Sequence, residues 1–61
     1  MTRRDYYLIA GALKKCKSLG QENLLYVADM LAVELKQNNP AFKRELFLKE
    51  SGVSDELIAA N

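Results

Sequence analysis

Histidine and tryptophan are missing from this 61-residue sequence, cysteine and proline occur once each, and glycine three times. Without histidine there is no side chain that ordinarily titrates near neutral pH to act as a general base, and no nitrogen ligand for a zinc-type cluster. The single cysteine, Cys16, excludes an internal disulfide. Nor is there a nucleophile elbow, a phosphate-cradling glycine loop or a pair of acids spaced for shared work. The expectation is a protein that is not an enzyme, with no catalytic residue, metal or cofactor. No apolar run approaches the roughly 18 residues of a membrane span, and the opening Met-Thr-Arg-Arg-Asp lacks the apolar stretch of a signal peptide. A soluble, cytoplasmic protein without a membrane partner is therefore expected, and one unpaired thiol agrees with a reducing compartment.

What is present describes a folded domain. Hydrophobic residues make up 49% and charged residues 28%, far from the composition of disordered chains. A chain this short forms one domain, 1–61, and buries only about 60% of the surface its unfolded form exposes. Cores of this size rarely supply more than about 3–5 kcal/mol unless disulfides, a metal or self-association add to them. Only self-association is open here, so a dimer is expected. The net charge of +1 is unevenly spread: Arg3, Arg4, Lys14, Lys15 and Lys17 stand against Asp5 alone in the first twenty residues.

Periodicity predicts an all-α fold, a compact three-helix domain with a short fourth helical turn, the helices spanning about 3–18, 21–38, 40–51 and 54–60. In the first, Tyr6, Ile9, Ala10, Leu13 and Cys16 share a face, which predicts a buried, inert thiol. Thr2 and Asp5 resemble a capping box, and Gly20 can close the helix. Gly11 lies inside it, either marking a close backbone approach or, more simply, tolerated on the surface. The second helix carries Leu24, Val27, Ala28, Leu31 and Leu35 on one stripe and Tyr26, Met30 and Val33 nearly opposite. It is expected to be the central helix, lying between two neighbours or presenting one face to a partner. Asn39-Pro40 breaks the pattern and starts the third helix, Gly52 stops it, and Ser54 caps the last.

Two stretches carry a family likeness. Asp5-Tyr6-x-x-Ile9-Ala10-x-x-Leu13 and Asn39-Pro40-x-Phe42-x-Arg44-x-x-Phe47-Leu48, ending at Gly52, resemble a group of short phage and prophage proteins of unassigned function. The likeness covers most of residues 5–52, and its motifs are structural: cap, core positions, helix break and helix stop. Members tend to have Asp in place of Lys43, which would cap a helix starting one turn later, and Cys in place of Ser51. The resemblance implies a phage accessory protein acting inside a bacterial host, and it brings no catalytic residue with it.

Three kinds of binding surface follow from the residues. Tyr26, Met30 and Val33, with outlying Tyr7, Leu8 and Phe47, supply the aromatic, methionine and aliphatic anchors that interface centres favour, and point to a protein partner of host or phage origin, or to a second copy. The simpler alternative is that the third helix covers this stripe. Arg4, Lys14 and Lys15, beside Tyr7, form a basic face that could hold nucleic acid, although lysines near a helix C-terminus account for most of it. Leu46 to Ile58 resembles the turn of a helix-turn-helix, but its second helix opens with Asp55 and Glu56, where phosphate repulsion is worst, and offers no side chain to read bases. The expected function is a small accessory protein, an inhibitor or adaptor that binds through an apolar helical face. The alternatives are a nucleic-acid-binding regulator and a self-assembling structural unit.

Overall fold

The computed structural model describes residues 2–60 and is all-α: α1 (Arg3–Lys14), a 3-10 turn (Lys17–Leu19), α2 (Gly20–Asn38), α3 (Arg44–Glu50) and the short α4 (Asp55–Ala60). The capping box forms as its sequence signature predicts. Thr2 Oγ1 accepts from the Asp5 N–H at 3.4 Å, and the Asp5 carboxylate accepts from the Thr2 N–H at 3.0 Å.

The first helix ends at Lys14, a turn short of the expected residue 18. Its last amides bond three residues back, Lys15 to the Ala12 carbonyl and Cys16 to that of Leu13. Cys16 then makes an inverse γ-turn, with φ −83°, ψ 64° and the Lys17 N–H on the Lys15 carbonyl at 2.9 Å. This tightening brings Leu19 onto the core and takes residue 16 off the helical face, so the thiol is exposed rather than buried as the periodicity implied. Gly20, at φ 78° and ψ 162°, occupies a region essentially restricted to glycine and opens α2 instead of closing α1. A Cβ added at Gly11 would meet nothing within 4 Å, so no neighbouring backbone requires that glycine.

The start of α3 differs most from expectation. Asn39 Oδ1 accepts from the Ala41 N–H at 3.1 Å, and the Asn39 carbonyl accepts from the Phe42 N–H at 2.9 Å. Residues 39–42 are thus a side-chain-supported turn, and the helix expected from residue 40 begins at Arg44. The turn drives Phe42 inward, its ring edge-on to Tyr6 at 4.8 Å and tilted against Phe47 at 5.4 Å. Lys43 occupies the N-cap position with extended φ −103°, ψ 102° and no side-chain cap. Lys43→Asp supplies the missing acceptor on a backbone already suited to it, and is expected to stabilise the chain by about 0.5–2 kcal/mol in urea titration.

Gly52 stops α3 as predicted. Its N–H bonds the Lys49 carbonyl at 3.0 Å and the Val53 N–H bonds that of Leu48 at 3.1 Å, with Gly52 at φ 94° and Val53 and Leu48 both buried, which makes a complete Schellman motif. Ser51 is fully buried, its Oγ donating to the Phe47 carbonyl at 2.8 Å. Ser54 Oγ then accepts from the Leu57 N–H at 3.4 Å and starts α4.

Long-range contacts define the helix directions. Tyr6 meets Phe42 just before α3, and Lys14 lies against Gly52 just after it, so α1 and α3 run side by side in one direction. The side chain of Gln21, at the start of α2, spans the far end of α3: Nε2 donates to the Gly52 carbonyl at 3.0 Å and Oε1 accepts from the Ser54 N–H at 2.8 Å. Lys36, near the end of α2, donates to the Phe42 carbonyl at 3.4 Å, so α2 is antiparallel to α3. The hub is α3 rather than the expected α2: it packs against α1, α2 and α4. The core gathers Ala10, Leu24, Ala28, Ala32, Phe42, Phe47, Leu48, Val53 and Ile58 around it.

Candidate protein-docking face

The molecule measures 28 × 23 × 15 Å. Its thinnest dimension holds at most two helices, since one with its side chains is about 10–12 Å across. The long α2 therefore packs on one side only. Ala28 is fully buried, and at about 100° per residue Tyr26, Met30 and Val33 fall within about 40° of the opposite direction. These three are 69%, 55% and 45% exposed, and no other helix covers them. Val27, which the sequence places in the core stripe, extends the exposed strip on the α1 side. Four apolar side chains thus stand in solvent on successive turns of the most regular element.

The charged residues sort to the edges. Glu22, Asp29 and Lys36 line the edge toward α3, where Arg44 Nε meets Asp29 Oδ1 at 2.6 Å. With both side chains partly exposed, that pair contributes at most about 1 kcal/mol. Glu34 stands on the other edge, and the polar Asn23 and Gln37 close the two ends. An apolar centre with a polar rim is the anatomy of a docking surface. A carboxylate cluster or nucleophile pair is not part of it. Among the described residues no group of three or more His, Cys, Asp or Glu is placed to hold a metal ion.

The other residues singled out from sequence do not join this face. Phe47 is a correction: it is 4% exposed and lies in the core against Phe42, because α3 is clamped between α1 and α2 and buries both sides. Tyr7 instead lines a groove of about 400 Å³ between α1 and α3, together with Arg3, Tyr6, Phe42, Lys43 and Leu46. Leu46, which the sequence pattern puts on one face with Phe42, is instead exposed in that groove, because Phe42 lies in the turn before the helix and a seven-residue helix gives too few positions to fix a period. Leu8, 64% exposed, faces outward from α1 alone. Arg4 and Lys15 fall on the outer side of α1 near Leu8, whereas the stem of Lys14 packs over Gly52, its Cγ 3.2 Å from where a Cβ would stand. The basic residues are therefore divided between two sides of the helix. The helix-turn-helix likeness at Gly52–Ser54 resolves into a Schellman stop followed by a six-residue helix. Among the described residues no helix is long and apolar enough to cross a membrane.

No protein-family model matches the chain, and no curated protein or solved structure is significantly similar to it.

Proposed function

We propose that this chain is a non-catalytic accessory protein of the phage type, working in the cytoplasm of a bacterial host by docking the outer face of α2 on another polypeptide. The observation that carries this reading is the exposure of Tyr26, Val27, Met30 and Val33 on successive turns of one helix, at the far side from the core. Tyrosine and methionine are favoured anchors because they bring large contact area, one with a polar tip and the other with adaptable shape. A rigid helical face of this kind acts by occlusion, covering a surface that its partner otherwise uses, and needs no chemistry of its own.

Met30→Asp places a carboxylate at the centre of the strip. Because Met30 is outside the core, the helical circular-dichroism signal should persist while affinity for the partner falls about 100-fold or more, the cost of desolvating an unpaired charge. The measurement is retention of a co-purifying phage or host protein, or of a second copy, on immobilised wild-type and variant chains. Equal retention by both removes α2 as the docking surface.

A further inference from the structure

The outer face of α2 is self-complementary, and we infer that its occupant is a second copy of this chain, paired antiparallel across a two-fold axis at Met30. This rests on the reading of that face as a docking surface and names its partner. In an antiparallel helix pair centred there, residues whose numbers sum to about 60 lie opposite each other, and a two-fold axis makes every such contact off the axis occur twice. Met30 then meets Met30 of the second copy, Tyr26 lies beside Val33 on the α3 side of the axis, and Val27 lies beside Glu34 on the other. All of these are exposed in the single chain.

The charges at the rim agree with that register. Glu22 and Lys36 lie on the same edge of α2, the one toward α3, and neither has an ion pair among the described residues, Lys36 donating instead to the Phe42 carbonyl at 3.4 Å. The two-fold axis keeps that edge of one copy beside the same edge of the other, with direction reversed, so Lys36 of each faces Glu22 of the other. Asp29, nearest the axis, is already neutralised by its own Arg44 at 2.6 Å. Glu34 of one copy stands some eight residues, or about 12 Å, along the axis from Glu34 of the other, beyond a Debye length at physiological salt.

The surface area points the same way. The chain exposes 4514 Å², whereas a folded monomer of its mass is expected to expose about 4,000 Å². The excess of about 500 Å² is the scale of one side of a small, transient interface of about 1,000 Å² in total, below the roughly 1,200 Å² of stable pairs.

Sedimentation equilibrium of the full chain, with reductant to keep Cys16 free, tests the pairing from ~1 μM to ~1 mM. A monomer–dimer equilibrium is expected. Met30→Asp should be monomeric throughout, and Val33→Lys, on the same face one turn later, repeats the test independently of any loss of fold at position 30. Lys36→Glu sets two acidic pairs against each other and should weaken the dimer roughly tenfold. Glu22→Lys/Lys36→Glu exchanges the charges and should restore it. Within one chain these residues are about 21 Å apart, so only an antiparallel partner can produce the rescue. A chain monomeric at the highest concentration overturns the inference, as does a dimer untouched by Met30→Asp or a charge exchange without rescue. A monomer that still loses a phage or host partner on Met30→Asp overturns the self-pairing alone and leaves the docking face standing.

Discussion

Phe47→Ala is expected to leave the chain largely unfolded at 25 °C. Truncating a buried phenylalanine costs about 3–5 kcal/mol through lost transfer energy and the cavity left behind. That equals the whole stability a core of this size rarely exceeds, about 3–5 kcal/mol. Phe47 cannot be replaced by relaxation of its surroundings, because Phe42 rests against it at 5.4 Å and is itself held by the Asn39 turn and by Tyr6. Far-UV circular dichroism with a urea titration provides the measurement. A cooperative transition within about 1 kcal/mol of wild type would return Phe47 to the surface, where the sequence pattern had put it.

Gly52→Ala is expected to cost about 2 kcal/mol or more, from two separate causes. The first is conformational: at φ 94° an L-residue sits in a left-handed region that disfavours a Cβ by roughly 1–2 kcal/mol. The second is steric, since the new Cβ would stand 3.2 Å from Lys14 Cγ and 3.7 Å from its Cα. For a domain of this length each kcal/mol moves Tm by about 4–8 °C, so a fall of roughly 8–16 °C follows. The causes separate in a Lys14→Ala background, where the contact with Cγ is gone and the backbone cost remains. Part of the fall in Tm should be recovered there, but not all. An unchanged Tm for Gly52→Ala alone would mean that α3 does not end in a Schellman turn.

The parts of the fold legible in sequence are those whose causes are local. The Thr2–Asp5 capping box, the break at Asn39-Pro40, the stop at Gly52 and the cap at Ser54 each depend on neighbours within a few residues, and each forms. The two apolar stripes of α2 were legible for a different reason: nineteen residues give enough turns for a period to show. One misplacement is local, the Asn39 side-chain turn that delays α3 to Arg44, and those of Phe47 and Cys16 concern tertiary choices. Phe47 and Leu48 are adjacent and would ordinarily point to different surroundings, but a short helix clamped by two others buries both. Cys16 lost its place in the periodic face because the chain tightens to bring Leu19 inward. No signal in the sequence marks Gln21, since an exposed glutamine near a helix start is commonplace and its partners lie 31 and 33 residues away.

That one amide has a consequence for how the chain comes apart. By bonding the Gly52 carbonyl and the Ser54 N–H together, Gln21 fastens the hinge before α4 to the start of α2. The six-residue α4 beyond it is held in the core by Ile58 and flanked by the half-buried Leu57. Opening in native-state hydrogen exchange therefore divides at this point: α4 can swing out and surrender its amide protons while the hinge stays fastened and α1 to α3 keep theirs. Protection along the chain should fall in one step after residue 54, with the break set by a side chain that is remote in sequence and comes from the start of α2.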